Sequence, residues 1–390
     1  MNSEVYRKGK EALGVLLDEI RACSDLRIYS AGNRAKELIQ MRRIEFLDMP
    51  EPTCFLVTGM EGNRESLDNP LEIDGIPVYT MQNCPIPAAG KNTMILIAAM
   101  EHYHKEIQEN IRNSSFSGVC IRFLTDIMER ILIAECMKFY YQKLGIPFEM
   151  TEMLDQDTDI LSSGGKGQTI MSYMVQSVHD VPIQEKRTDR TWITTLQAGA
   201  ALTEQRFSAV TDADGDNISS KNAYYNEMTG MYWLWKNTGW DISGLCHYRR
   251  QFESDIALKP LLDGTADAVL PVPALVYPNL RGYYCYWGED SYYQMMLQVI
   301  REQKEDYYET AVWCAEHEIF YPNNIFLAKR EVIEDYCQFA FDVIDEVETR
   351  MRNFDGVKQK RCWLSEHVTT IYFMKHKNDR IVFSNLKRFW

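Results

Sequence analysis

Apolar positions follow two rhythms along this chain. Over 3–23, Val5, Leu13, Leu16, Leu17, Ile20 and Cys23 recur on one side of a helix, the spacing of an amphipathic surface helix. Short apolar runs follow at 26–29, 54–58, 76–79 and 93–99. Each has the length of a buried strand, and the stretches 36–42 and 102–111 read as helices between them. Strand and helix in alternation predict a parallel sheet with helices on its faces. A further helix is predicted over 122–144 on Leu124, Ile127, Ile131, Ile133, Met137 and Tyr140, ended by Gly145-Ile146-Pro147. The polar, Gly- and Ser-rich segment 155–167 has the composition of a linker. It divides the chain into a first domain, 1–154, and a second, 168–390.

The second half repeats the strand signal at 169–175, 241–246 and 266–271. Tyr224, Met228, Met231 and Trp235 form one helical stripe, introduced by the turn residues Asp214-Gly215-Asp216-Asn217 and stopped by Asn237-Thr238-Gly239. Helices are predicted over 291–301, 304–316 and 331–348, with another beginning in 361–367. The fold class is therefore α/β.

The candidate chemistry follows from this frame. The turn Ser30-Ala31-Gly32-Asn33-Arg34-Ala35 is a degraded dinucleotide-binding loop in a Rossmann-like first domain. Serine replaces the first glycine, and no acid ends the next strand. It leaves a structural or docking role, an ancillary nucleotide site, or an NAD-dependent sugar-nucleotide oxidoreductase or epimerase as readings. In the second domain, His247, Tyr248, Arg249 and Arg250 directly follow a buried strand, where open α/β sheets bind ligands. Three potential cations there suit an anion such as a diphosphate. Lys221 and Asn222, near a helix start, are candidates for phosphate or ribose. Asp212, Asp214 and Asp216 form an acidic repeat that either holds Mn²⁺ or Mg²⁺ or simply builds a turn. Glu366, with Asp290 behind it, is the candidate general base; helix-end charge complementarity is the alternative for Glu366. His247 is a further catalytic candidate, or a core histidine. The Tyr-rich run 277–293, with Tyr284 and Trp287, is either an acceptor platform over the site or a packed aromatic loop.

Composition narrows the partners. The 390 residues suffice for two domains. A net charge of −14 argues against broad nucleic-acid binding, while leaving room for a local basic pocket. Ten scattered cysteines and no secretory signal predict reduced thiols in a cytoplasmic protein. No apolar run is long enough to span a membrane. The basic, aromatic end Lys387-Arg388-Phe389-Trp390 is a candidate for peripheral membrane contact.

Three ordered motifs carry a family resemblance. They are GDNIS-x-KN, then Y-x-E-x-T-x-x-YW-x-WKN, then GL-x-HYRR-x-F, all between Gly215 and Phe252. This region, from about Thr169 onward, resembles the DUF4422 family, regarded as bacterial glycosyltransferases of capsule, exopolysaccharide and O-antigen synthesis. The resemblance implies a GT-A-like nucleotide-sugar-binding domain. It implies a nucleotide-sugar donor, with a UDP-sugar favoured, and an oligosaccharide or lipid-linked glycan acceptor. Donor contacts are then expected from His179, Asp180, Asp216, Asn217, Lys221, Asn222, Tyr248, Arg249 and Arg250. Acceptor contacts are expected from Tyr284, Trp287, Asn323 and Asn324. Two departures stand out: Thr195-Leu196 replaces a Pro-Ile pair, and His367 stands where the family has Arg beside Glu366. A non-catalytic carbohydrate-binding or scaffold protein is the competing class.

Overall fold

The computed structural model describes residues 3–59, 72–151, 167–183, 190–351 and 364–389. They form two compact units, Asn2–Lys143 with Leu275–Pro278, and Leu144–Ala274 with Asn279–Trp390. Apart from Gly167, the expected linker lies outside the described residues.

The first unit is an open sheet. Its strands are β1 (Asp25–Tyr29), β2 (Cys54–Val57), β3 (Glu72–Ile73), β4 (Ile76–Thr80), β5 (Thr93–Ile97) and β6 (Cys120–Phe123), in the order β3-β4-β2-β1-β5-β6. All neighbours are parallel except the β3–β4 hairpin. That hairpin turns on Asp74 and Gly75, both left-handed, the backbone such a two-residue turn requires. Helices α1 (Ser3–Ala22), α2 (Asn33–Arg43), α3 (His104–Arg112) and α4 (Asp126–Lys143) connect and cover the sheet. Ile107 and Ile111 of α3 pack on Tyr29, Leu56, Ile95 and Ile97. The helix expected over 122–144 begins later, because Cys120–Phe123 is an edge strand. Its four partly exposed residues are too few to show a period of two. At the degraded loop, Gly32 N–H donates to Ser30 Oγ at 3.1 Å. Arg34 is spent on Glu129, on Asp126 and on the Ala99 carbonyl.

The second unit holds a mixed sheet. Its strands are β7 (Ile170–Gln176), β8 (Ile193–Gln197), β9 (Val210–Thr211), β10 (Ile242–His247), β11 (Arg250–Phe252) and β12 (Ala268–Pro271). After the two-residue strands β13 (Ala274–Leu275) and β14 (Ile319–Phe320) come β15 (Phe326–Lys329), β16 (Ile381–Ser384) and β17 (Leu386–Arg388). The order is β16-β12-β15-β10-β7-β8-β9, with β11 bridging β10 and β17. β10, β7, β8 and β9 run parallel, whereas β15 is antiparallel to both β10 and β12. The helices are α5 (Asn222–Tyr225), α6 (Met228–Asn237), α7 (Lys259–Leu262), α8 (Leu280–Cys285), α9 (Asp290–Gln303), α10 (Glu305–Glu316), α11 (Arg330–Met351) and α12 (Leu364–Lys375). Phe326 faces Tyr336 of α11 and Phe373 of α12, edge-on at 4.9 and 5.0 Å. On the alternate face, Ile242, Val269, Leu327 and Val382 join Trp192, Leu258 and Leu261. No described helix is long and apolar enough to cross a membrane.

The single stripe expected through Tyr224, Met228, Met231 and Trp235 is broken. Asn226, at φ 44°, separates α5 from α6 and leaves Tyr224 exposed, while Met228 and Met231 are buried. Asparagine tolerates positive φ because its short polar side chain can bond locally.

Gly244 of β10 is fixed by the approach of the neighbouring strand. A Cβ there would lie 1.9 Å from the Phe326 carbonyl oxygen and 3.0 Å from Leu327 Cα. Gly244→Ala must push β15 away, so urea denaturation should show a loss of about 3 kcal/mol.

Candidate functional site

The site forms where β7 and β10 end side by side, with Val175 in register with His247. The chain turns tightly after β10, so Arg250 of β11 pairs back with His247 and then with Arg388 of β17. The predicted His-Tyr-Arg-Arg run is thus a hairpin at the carboxyl edge of the sheet. Tyr248 is buried and hydrogen-bonded to Asp180, which also accepts the Ser177 N–H at 2.6 Å. Arg249 lies over the Tyr248 ring at 5.0 Å, and its buried Nε has no hydrogen-bond partner among the described residues. A buried guanidinium donor left open in this way is ready for a ligand acceptor.

His247 is not one of the cations. Burial, reinforced by Arg250 and Arg249, lowers its pKa to about 3, so it is a neutral imidazole at physiological pH. It accepts the Arg249 N–H at Nδ1, 3.4 Å away. The positive charge comes from Arg249 and Arg250, with Arg388 close enough to oppose Arg250.

Facing them are two carboxylates. Glu366 lies in the first turn of α12 and Glu227 at the start of α6. Both are enclosed by protein while keeping part of their surface accessible. Asn323 and Asn324, consecutive left-handed residues, hold one each. Asn323 donates to Glu366 Oε1 from its backbone N–H, and from Nδ2 at 3.1 Å. Asn324 Nδ2 donates to Glu227 Oε1 at 2.8 Å and to Ser365 Oγ at 2.9 Å, while its Oδ1 accepts from Thr369 at 2.6 Å. Burial first, then repulsion from Glu227, raises the Glu366 pKa to about 7. Burial likewise raises Glu227, and Arg250 opposes the rise in both. A carboxylate titrating near neutrality beside a fixed cation can exchange a proton with a bound hydroxyl.

Of the residues read from sequence, Glu366, His247, Tyr248, Arg249, Arg250 and Asp180 come together here. His179 is exposed next to Asp180, its N–H bonded to Ser177 Oγ. Asn323 and Asn324 join the site in a different capacity from acceptor binding: their amide groups are engaged by the carboxylates. Glu227 was missed, although it is the acid of the Y-x-E-x-T motif; the Asn226 break turns it inward. Arg388 lies in the basic end that is a candidate for membrane contact; there Leu386–Arg388 is a sheet strand and Phe389 is buried, its N–H bonded to the Arg249 carbonyl, while Trp390 lies outside the described residues.

Other candidates are committed elsewhere. Asp290 is gripped bidentately by Arg281 at 2.7 Å, which holds its pKa near 2 and makes it a poor base. Lys221 pairs with Asp345 and Glu348 of α11. Asn222 bonds the Asn226 carbonyl and Thr229. Asn217 and Asp216 tie the turn to itself, to Asn237 and to Tyr232. Tyr284 is a core residue rather than a platform. With Tyr293 and Phe320 it surrounds His367, at 5.2, 5.4 and 5.2 Å, and burial lowers the His367 pKa to about 3. Trp287 is half-buried beyond α8.

The three carboxylates of the acidic repeat bond to different partners. Asp212 is wholly buried and accepts from Gly199 N–H, Ala200 N–H, Ser219 and Thr229. Asp214 takes the Thr211 hydroxyl, and Asp216 points to Tyr232. Among the described residues no group of three or more His, Cys, Asp or Glu is placed to share a metal.

A family model described as a domain of unknown function, DUF4422, matches residues 178–378, slightly over half the chain. The apo structure of the bifunctional glycosyltransferase WbbM is similar in fold, with TM-score 0.50 and 21% identity. The likeness covers 56% of this chain and 45% of that one, so it spans less than half of WbbM. No curated protein matches the sequence. The α/β fold expected from the alternating pattern is thus shared with a solved glycosyltransferase.

Because four donors converge on buried Asp212, Asp212→Ala should cost about 3 kcal/mol in urea denaturation, equally with and without Mn²⁺ or Mg²⁺. A loss confined to the metal-containing samples would instead assign Asp212 to a cation.

Proposed function

The chain belongs to the DUF4422 family, and we propose that it is a glycosyltransferase moving a sugar from a nucleotide-sugar donor, a UDP-sugar being favoured, onto a surface-polysaccharide or oligosaccharide acceptor. The observation that carries this reading is the meeting of two arginines and a carboxylate of pKa about 7 at the carboxyl edge of the sheet. The shared fold with a bifunctional glycosyltransferase supports it.

Each group has a task in such a transfer. Arg249 and Arg250 bind the donor diphosphate and stabilise its charge as the C1–oxygen bond to phosphate breaks. The acceptor hydroxyl oxygen forms the new bond to C1, and the Glu366 carboxylate takes its proton if the reaction inverts. Glu227 keeps the Glu366 pKa high, so the base is strong enough to accept a proton yet largely ionised above neutrality. Tyr248 and Asp180 fix the hairpin, and neutral His247, its Nδ1 held by the Arg249 N–H, offers Nε2 to the donor without adding charge. Nucleotide sugars are cytoplasmic metabolites, so the reaction is assigned to the cytoplasm, at the inner membrane face where the acceptor is lipid-linked.

A thermal-shift and donor-hydrolysis panel of UDP-, GDP-, TDP- and CMP-sugars, with and without Mn²⁺ or Mg²⁺, tests this. One nucleotide family should stabilise the protein, and Arg249→Ala should abolish that stabilisation. Glu366→Gln should keep donor binding and lower kcat about 10²–10⁴-fold. Silence across the panel from folded protein would favour the non-catalytic carbohydrate-binding reading.

The pH dependence has a definite sign. Glu366 must be ionised to act, so the rate should rise with pH through about 7. Glu227→Gln removes a neighbouring negative charge, lowers the Glu366 pKa and moves this acid limb to lower pH. Stability runs the other way. Glu366 holds its proton more tightly folded than unfolded, so its contribution is fully present below the unfolded value of 4.5 and is lost as pH rises through about 7. Glu366→Gln should therefore be more stable than the parent by about 1–3 kcal/mol at pH 8, with the gap closing near pH 4.

A further inference from the structure

Within the first unit, two thiols meet beside a buried cation. Cys54 opens β2, and Cys84 lies in the turn after β4; their sulfurs are 3.6 Å apart. Arg27 of β1, in register with Cys54, donates from Nη1 to Cys84 Sγ at 3.2 Å and to the Pro85 carbonyl at 2.6 Å. Asp25 holds the other side of that guanidinium, at 3.1 Å, and itself accepts from Thr93 at 3.0 Å. The Phe116 ring lies against Arg27 at 5.3 Å. This is a fixed pairing of two sulfurs with one charged donor, and the donor is aimed at only one of them.

We propose that Cys54 and Cys84 form a reversible dithiol–disulfide couple that reacts with hydroperoxides, with Cys84 as the attacking sulfur. The hydrogen bond from Cys54, followed by the charge and hydrogen bond of Arg27, draws the Cys84 thiol down to about 7, while Cys54 is pushed up. Burial instead raises Cys136, Cys314 and Cys337. Cys84 keeps 6% of its surface exposed against 1% for Cys54, so a small peroxide meets Cys84 first.

The chemistry balances in two steps. The Cys84 thiolate attacks one peroxide oxygen and the O–O bond breaks. This gives a sulfenic acid on Cys84 and hydroxide, which takes a proton to become water. The Cys54 sulfur then attacks the Cys84 sulfur, the S–O bond breaks, and the sulfenic oxygen leaves as water with the Cys54 proton. In total, two thiols and one hydrogen peroxide give one disulfide and two waters. The sulfurs need to close by only about 1.5 Å to reach bonding distance. The bond would join the start of β2 to the turn after its neighbour β4, with Arg27 released from its thiolate.

The test is to treat the full-length folded protein with hydrogen peroxide at pH 7.5, block remaining thiols with N-ethylmaleimide, and map peptides by mass spectrometry. The expected product is a Cys54–Cys84 linked peptide, two hydrogens lighter than the separate pair and restored by dithiothreitol. In Cys54→Ser the reaction should stop at a Cys84 sulfenic acid that dimedone traps. Before oxidation, Cys84 should alkylate about 10-fold faster than Cys136 or Cys314 in the native protein. The inference is overturned if Cys84 stays free while exposed Cys285 oxidises, or if the cross-link forms only in urea. Both outcomes are read on the parent protein and do not depend on a variant folding.

Discussion

Two carboxylates share one enclosed site only if the surrounding protein supplies enough donors and positive charge to hold them. Here that constraint is met by Asn323 and Asn324, which deliver N–H donors to one acid each, and by Arg250, whose charge acts on both. The support is incomplete by design of the geometry: burial and mutual repulsion still outweigh it, so Glu366 titrates near 7 instead of near 4.5. Full neutralisation would have produced a structural ion pair with no proton to exchange. The left-handed backbone at both asparagines is what lets adjacent residues reach in two directions, one to α12 and one to α6.

The frame that fixes this geometry is covalently distant and mechanically simple. β7 and β10 run parallel and end together, β11 folds back on β10, and β17 closes the far side. Asp212 ties the segment after β8 to α6 through Gly199, Ala200, Ser219 and Thr229. A buried carboxylate satisfied by four donors sets the position of α6, and Glu227 directly precedes α6. Asp212 therefore serves the site from a distance, by holding a helix.

The sequence reading succeeded where a local rule decides the outcome. Strands were visible at 26–29, 54–58, 93–99, 169–175 and 241–246, because a short apolar run between turn residues has few other uses. The cluster of charge at the end of β10 was visible because polar and basic residues directly follow a buried strand. Glu366 was visible as an acid at a helix start. Its partner Glu227 was not, since the apolar stripe from Tyr224 to Trp235 counted as one helix and the left-handed Asn226 was not anticipated. Lys221 looked free because its acids, Asp345 and Glu348, are more than a hundred positions away in the chain. Asp290 looked available for the reason that nothing local announces its pairing with Arg281.

What the sequence determined by itself was the alternation of the main buried strands with helices, the α/β class and the edge of the sheet at which charge collects. These depend on periodicity and on chain direction, which are properties of neighbours in sequence. Tertiary structure decided which charges survive at that edge and which acids face them. His247 loses its proton because burial and two arginines act on it together, and Tyr284 becomes core because His367 and Tyr293 pack against it. Burial and through-space electrostatics sum over groups brought together from remote parts of the chain, and no local window contains that sum.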